Sequence, residues 1–116
     1  MAEYVLDYLE LPSADNRRSR EFFAQAFGWT HVDYGDSYAE IRGAGLLFGV
    51  NSDGGDRSVA PMPVIRATDL DAAQSAVIAA GGVVTREQYD FPGGRRFFCR
   101  EPGGTELAIY VTRDEP

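Results

Sequence analysis

The sequence predicts an α+β fold made of two tandem βαβββ modules that together form a concave cleft. Three observations predict it. Only residues 13–27 and 68–80 carry helical periodicity, and the rest reads as short strand-forming runs broken by Gly and Pro. The helix landmarks recur: Asp15 and Asp69 precede the helices, Gly28 and Gly82 follow them, each pair 54 residues apart. One stretch, NSDGGDRS at 51–58, has linker composition. At 116 residues the chain is the size of a single domain, 1–116. Its first module covers about 1–50, the linker about 51–60 and the second module about 61–112.

Each element has a local reason. YVLDYLEL at 4–11 is rich in β-formers and is stopped by Pro12. Ser13 to Asp15 offer N-caps, and Phe22, Phe23, Ala26 and Phe27 make an apolar stripe while Arg17, Arg18, Arg20 and Glu21 face water. Gly28 closes that helix. Strands follow at 29–34 and 37–42, and the glycines at 43 and 45 mark a hairpin into 46–50. In the second module 62–67 reads as a strand, and Thr68 caps a helix with Asp71 three residues on. Leu70, Ala73, Val77 and Ala80 form its inner face, Gly81-Gly82 ends it, and strands at 83–88, 95–100 and 105–112 complete the module.

Composition removes whole classes of chemistry. All eleven basic residues are Arg, so there is no lysine for a Schiff base or a phosphate loop. One His (His31) and one Cys (Cys99) exclude a two-His metal site, an internal disulfide and a Cys-x-x-Cys pair within the chain. A net charge of −7 argues against nucleic acid and against an anionic membrane surface. No basic, then apolar, leader opens the sequence, so a cytoplasmic domain is expected. His31 reads as a surface or strand-edge residue, Cys99 as a small buried hydrophobe, and Trp29 with the helix phenylalanines as core. The acidic loop at 51–56 lacks the acidic twelfth residue of a calcium loop, Met62 standing there instead.

Three segments, YLELPSADNRRSREFFAQAFGW (8–29), ATDLDAAQSAVIAAGGVV (67–84) and GGRRFFCREPGGTELAIYV (93–111), resemble the vicinal oxygen chelate superfamily of glyoxalase I, bleomycin-resistance proteins and extradiol dioxygenases. In its metal-dependent members, the resemblance implies, His, Gln or Glu ligands come from the first and last strands of each module. Counting seven residues back from Asp15 and Asp69 gives Tyr8 and Met62. Counting seven on from Glu101, which opens the Glu-Pro-Gly-Gly turn, gives Ala108, and the fourth position falls among Leu47, Phe48 and Gly49. Thioether, methyl and apolar groups do not make a hard-cation site, so no metal or other cofactor is expected. The resemblance also implies a homodimer.

Strand alternation extends the candidate surface. If positions 8 and 108 point into the cleft, so do Glu10, Glu106 and Tyr110, with Tyr38, Phe48, Met62 and Arg66 as neighbours. Glu10 and Glu106 are the candidate acid–base residues; alternatively each pairs with an arginine such as Arg66 or Arg100, fixes a backbone hydrogen bond, or the two hold a metal by carboxylates alone. The expected function is metal-independent binding of an aromatic or apolar small molecule in the cleft, as in resistance by sequestration. Two alternatives stay open: a lyase, isomerase or dioxygenase using Glu10 or Glu106, and an accessory domain that serves association.

Overall fold

A computed structural model describes residues 3–113. The elements follow in the order β1 (Tyr4–Pro12), α1 (Asn16–Phe27), β2 (Thr30–Asp33), β3 (Tyr38–Arg42) and β4 (Phe48–Asn51), then β5 (Met62–Ala67), α2 (Leu70–Ala79), β6 (Val83–Phe91), β7 (Gly94–Arg100) and β8 (Glu106–Thr112). This is the α+β, twice-repeated βαβββ pattern. Two compact units result: Tyr8–Met62, and the chain from Pro63 onward together with the segment ending at Asp7.

In the unit Tyr8–Met62 the strands run β2-β3-β4-β1. β1 lies parallel to β4, with Leu9 opposite Phe48 and Glu10 opposite Gly49. α1 begins where the Asp15 carboxylate accepts from the Arg18 amide at 3.2 Å, and ends at Gly28, whose φ of 74° suits a residue without Cβ. Its underside packs on Ile41, Phe48 and Val50, joined by Leu9, Leu11, Phe23 and Trp29. Phe23 stacks on Trp29 at 5.7 Å, and Phe48 meets both edge-on at 5.3 and 5.8 Å.

The expected four-residue stripe on α1 is only partly buried. Phe23 reaches the core, whereas Phe22 and Phe27 are each 57% exposed. Successive helical residues diverge by about 100°, so Phe22 and Phe23 cannot both face one sheet. The buried residue of this helix is Asn16, whose Nδ2 donates to the Val50 carbonyl at 2.7 Å and ties the helix start to β4. Asn51, expected in the linker, ends β4 and is buried.

In the other unit the strands run β5-β8-β7-β6, with β5 parallel to β8 and Arg66 opposite Tyr110. α2 covers Ala67, Phe97, Cys99, Ile109 and Val111 with Leu70 and Ala73. Its cap is Asp69 rather than Thr68. Asp69 is extended (φ −144°, ψ 106°) and accepts from the Ala72 amide at 3.0 Å, while the Thr68 hydroxyl accepts from the Glu3 amide. β6 runs on to Phe91 because its pairing with β7 continues through Tyr89–Arg96 to Phe91–Gly94. No helix among the described residues is long and apolar enough to cross a membrane.

Candidate functional site

Alternation fixes what each sheet face carries. Leu9 and Leu11 on β1, Ile41 on β3 and Phe48 and Val50 on β4 point toward α1. Tyr8, Glu10, Tyr38, Glu40 and Gly49 therefore share the opposite face. Tyr8 Oη and Tyr38 Oη are 2.6 Å apart, and Tyr38 Oη donates to Glu10 Oε1 at 3.4 Å. Glu10 is only 1% exposed. A Cβ at position 49 would overlap both tyrosine hydroxyls, so glycine is required there for the pair to exist. Burial pushes the Tyr8 phenol well above its ordinary value; the Tyr38 hydrogen bond opposes this, and the Glu40 and Glu10 carboxylates and Tyr34 add to it. The hydroxyl stays protonated.

Phe48 is not part of this face. It was expected beside Tyr8, but its pairing with Leu9 turns its ring into the aromatic core under α1. Met62 is fully buried. In the other unit, Arg66 and Tyr110 meet on Asp7: Arg66 Nε lies 3.1 Å from Oδ2, and the Tyr110 hydroxyl donates to the same carboxylate at 3.1 Å. Arg66, named as a partner for a glutamate, thus pairs with Asp7. Glu106 accepts from the Thr85 hydroxyl at 2.7 Å. His31 is exposed on β2, 3.6 Å from Asp33, and Cys99 is buried, its thiol pushed up by burial and, less, by Glu106.

Several residues of this unit escaped the sequence reading. The Arg86 guanidinium sits 3.7 Å from the Tyr89 ring centre, and Arg96, 7% exposed, lies among Tyr89, Phe91 and Phe98 at 5.4, 5.3 and 5.1 Å. The Arg96 guanidinium also donates to the Tyr89 hydroxyl. The signal was the β6–β7 hairpin, whose register puts Tyr89 opposite Arg96. A groove of about 680 Å³ lies elsewhere in this unit, beside the start of α2. Its polar lining is engaged internally: Gln88 bonds Asp71, and Arg95 bonds both Gln88 and Asp90.

The residues at the four positions implied for metal ligands do not fit a divalent cation. Met62 offers a thioether and Ala108 a methyl group. Gly49, which shares the Glu10 face of β4, has no side chain, and the Tyr8 phenol is held neutral and bonded to Tyr38. Among the described residues no group of three or more His, Cys, Asp and Glu is placed to hold a metal ion.

Comparison with known proteins agrees with this architecture. The family model described as the glyoxalase/bleomycin resistance protein/dioxygenase superfamily matches residues 5–109, and the chain belongs to that superfamily. Among solved structures, one described as the NAD-dependent benzaldehyde dehydrogenase from Legionella pneumophila superposes with a TM-score of 0.77 at 10% identity, covering 90% of this chain and 97% of that one. A superfamily member from Vibrio splendidus gives 0.67 at 13% identity, covering 97% and 99%. The Mn(II)-bound glyoxalase from Novosphingobium aromaticivorans gives 0.65 at 20% identity, covering 90% of this chain but 38% of that one. These likenesses show the fold. No curated protein matches the sequence.

Proposed function

We propose that this protein binds an aromatic or largely apolar small molecule without a metal, against the sheet face that carries Tyr8, Tyr38 and Glu10, and sequesters it unaltered. The observation that supports this most is the hydroxyl pair over Gly49, which fills the space where a ligating side chain of β4 would stand. What remains is a face of aromatic rings with a few fixed polar groups, the usual make-up of a small-molecule site. A thermal-shift screen of aromatic natural products tests it, since a ligand bound to the native state raises the melting temperature. Compounds that raise it equally before and after treatment with a chelator support the reading; a shift that needs added Mn, Ni, Zn or Fe refutes it.

One observation favours a second reading, in which the protein is an enzyme. A carboxylate as buried as Glu10, reached through a tyrosine hydroxyl, has the arrangement of a general base. Glu10→Gln separates the two: under sequestration it leaves affinity within about tenfold, about 1.4 kcal/mol, whereas under catalysis it abolishes turnover of any compound found to react.

A further inference from the structure

The other unit gathers positive charge on one sheet face. Phe97, Cys99, Ile109 and Val111 point at α2. Arg96 and Phe98 on β7, and Glu106 and Tyr110 on β8, therefore face the other way. Register with β6 sets Arg86 opposite Phe98 and Tyr89 opposite Arg96 on that face. The Arg86 guanidinium lies 3.7 Å from the Tyr89 ring centre and 5.3 Å from that of Phe98. Arg96 lies 5.4 and 5.1 Å from the same two ring centres. Sharing a ring holds the two cations at most about 9 Å apart, a span over which like charges still repel in about 0.1 M salt. Arg96 is also buried, and ring faces ease the burial of a cation without cancelling its charge. Asp7 and Glu106 share this face, and each has partners: Arg66 and the Tyr110 hydroxyl for Asp7, the Thr85 hydroxyl for Glu106. Among the described residues, Arg66, Arg86 and Arg96 outnumber these two carboxylates, on a chain whose net charge is −7.

The geometry points to Arg86 and Arg96 as the anchor of a binding site for a planar aromatic acid. Stacking on Tyr89 engages the flat face of the Arg86 guanidinium, whereas a carboxylate is recognised along the N–H edge, in the guanidinium plane. An oxyanion that reaches both arginines relieves their mutual repulsion. Tyr89, Phe91 and Tyr110 are only half-buried, and Phe91 and Tyr110 meet edge to face at 6.4 Å. A flat ring attached to that carboxylate thus meets ring surface rather than water. A neutral aromatic lacks the first contact, and an aliphatic acid lacks the second. None of these residues belongs to the Tyr8, Tyr38 and Glu10 face, so the function proposed above stands whether or not this site exists.

Three probes test this by calorimetric titration of the full chain at neutral pH: 2-naphthoate, its neutral amide 2-naphthamide, and cyclohexanecarboxylate. Naphthoate binds at least about tenfold more tightly than either of the others. Raising salt from about 50 mM to about 500 mM weakens naphthoate several-fold and leaves naphthamide unchanged. Arg86→Gln removes most of the preference for the acid. Arg95→Gln, an equal loss of charge on the α2 side of β7, where Arg95 bonds Gln88, leaves that preference in place. Should Arg86→Gln fail to fold, Arg86→Lys decides: it keeps the charge, gives up the planar fork, and weakens naphthoate more than naphthamide. Equal binding of acid and amide, no binding of the acid, or equal losses in Arg86→Gln and Arg95→Gln would overturn the inference. So would an Arg86→Lys variant that binds naphthoate as the parent chain does.

Discussion

Tyr8 Oη and Tyr38 Oη stand 2.6 Å apart in the volume that a side chain at Gly49 would take. Gly49→Ala therefore forces both rings from their rotamers. The expected cost is about 1–3 kcal/mol, the usual range for overpacking a filled site, read from urea denaturation. Because the overlap reaches the Tyr38 ring as well as its hydroxyl, Tyr38→Ala relieves the larger part of the clash, leaving the Tyr8 hydroxyl. The double variant Gly49→Ala/Tyr38→Ala is less destabilised than the two single changes sum to; strict additivity would contradict the crowding.

Tyr8 links this crowding to alkaline stability. Its folded-state pKa is raised above the ordinary tyrosine value of about 10, chiefly by burial. The native state then holds the proton more tightly than the unfolded chain. The stability this contributes is complete below about pH 10 and is lost as pH climbs toward the folded value. Unfolding free energy measured from neutral pH upward falls beyond pH 10, and Tyr8→Phe makes that fall shallower. An unchanged slope would show that Tyr8 titrates normally.

The two phenylalanine environments differ sharply. Phe48 is locked against Phe23 and Trp29, so Phe48→Ala costs about 3–5 kcal/mol, as core aromatic truncations do. Phe22, mostly exposed, makes one edge contact each with Phe23 and Phe27, and Phe22→Ala costs under about 1 kcal/mol. Denaturation midpoints of the two variants check the ordering.

The helix caps give a third comparison. Asp15→Ala and Asp69→Ala each remove a carboxylate that accepts an amide three residues on, at about 1 kcal/mol apiece. Thr68→Ala leaves the cap of α2 intact and costs less than Asp69→Ala. Equal losses would return the capping role to Thr68.

Cys99 is expected to be inert in the native protein, since its thiol is buried and pushed up mainly by that burial. Labelling by a thiol reagent is slow without denaturant and accelerates with urea as the core of Phe97, Ile109 and Val111 opens. Fast labelling in native buffer would contradict the packing around it.

What could be read from the sequence was what neighbouring residues decide. Asp15 and Gly28 delimit α1 by interactions that reach three or four residues along the chain, so their spacing announced the helix. Alternation along β1 placed Tyr8 and Glu10 together for the same reason. Phe48 was misplaced because alternation says nothing of phase across the glycines at 43, 45 and 49, and a slip of one residue turns a side chain to the other face. Asp7, Arg86 and Arg96 were missed because their partners Tyr110, Phe98 and Tyr89 lie on other strands. Such pairings depend on register between strands, which no local run of residues encodes.

The packing at position 49 also bears on how this chain could change over generations. A carboxylate or imidazole cannot enter β4 there while Tyr8 and Tyr38 keep their places. Placing a ligand on that strand takes several replacements, and the first, made alone, lowers stability before any metal could offset the loss. Packing at one residue thus limits the chemistry that β4 can acquire by single substitutions.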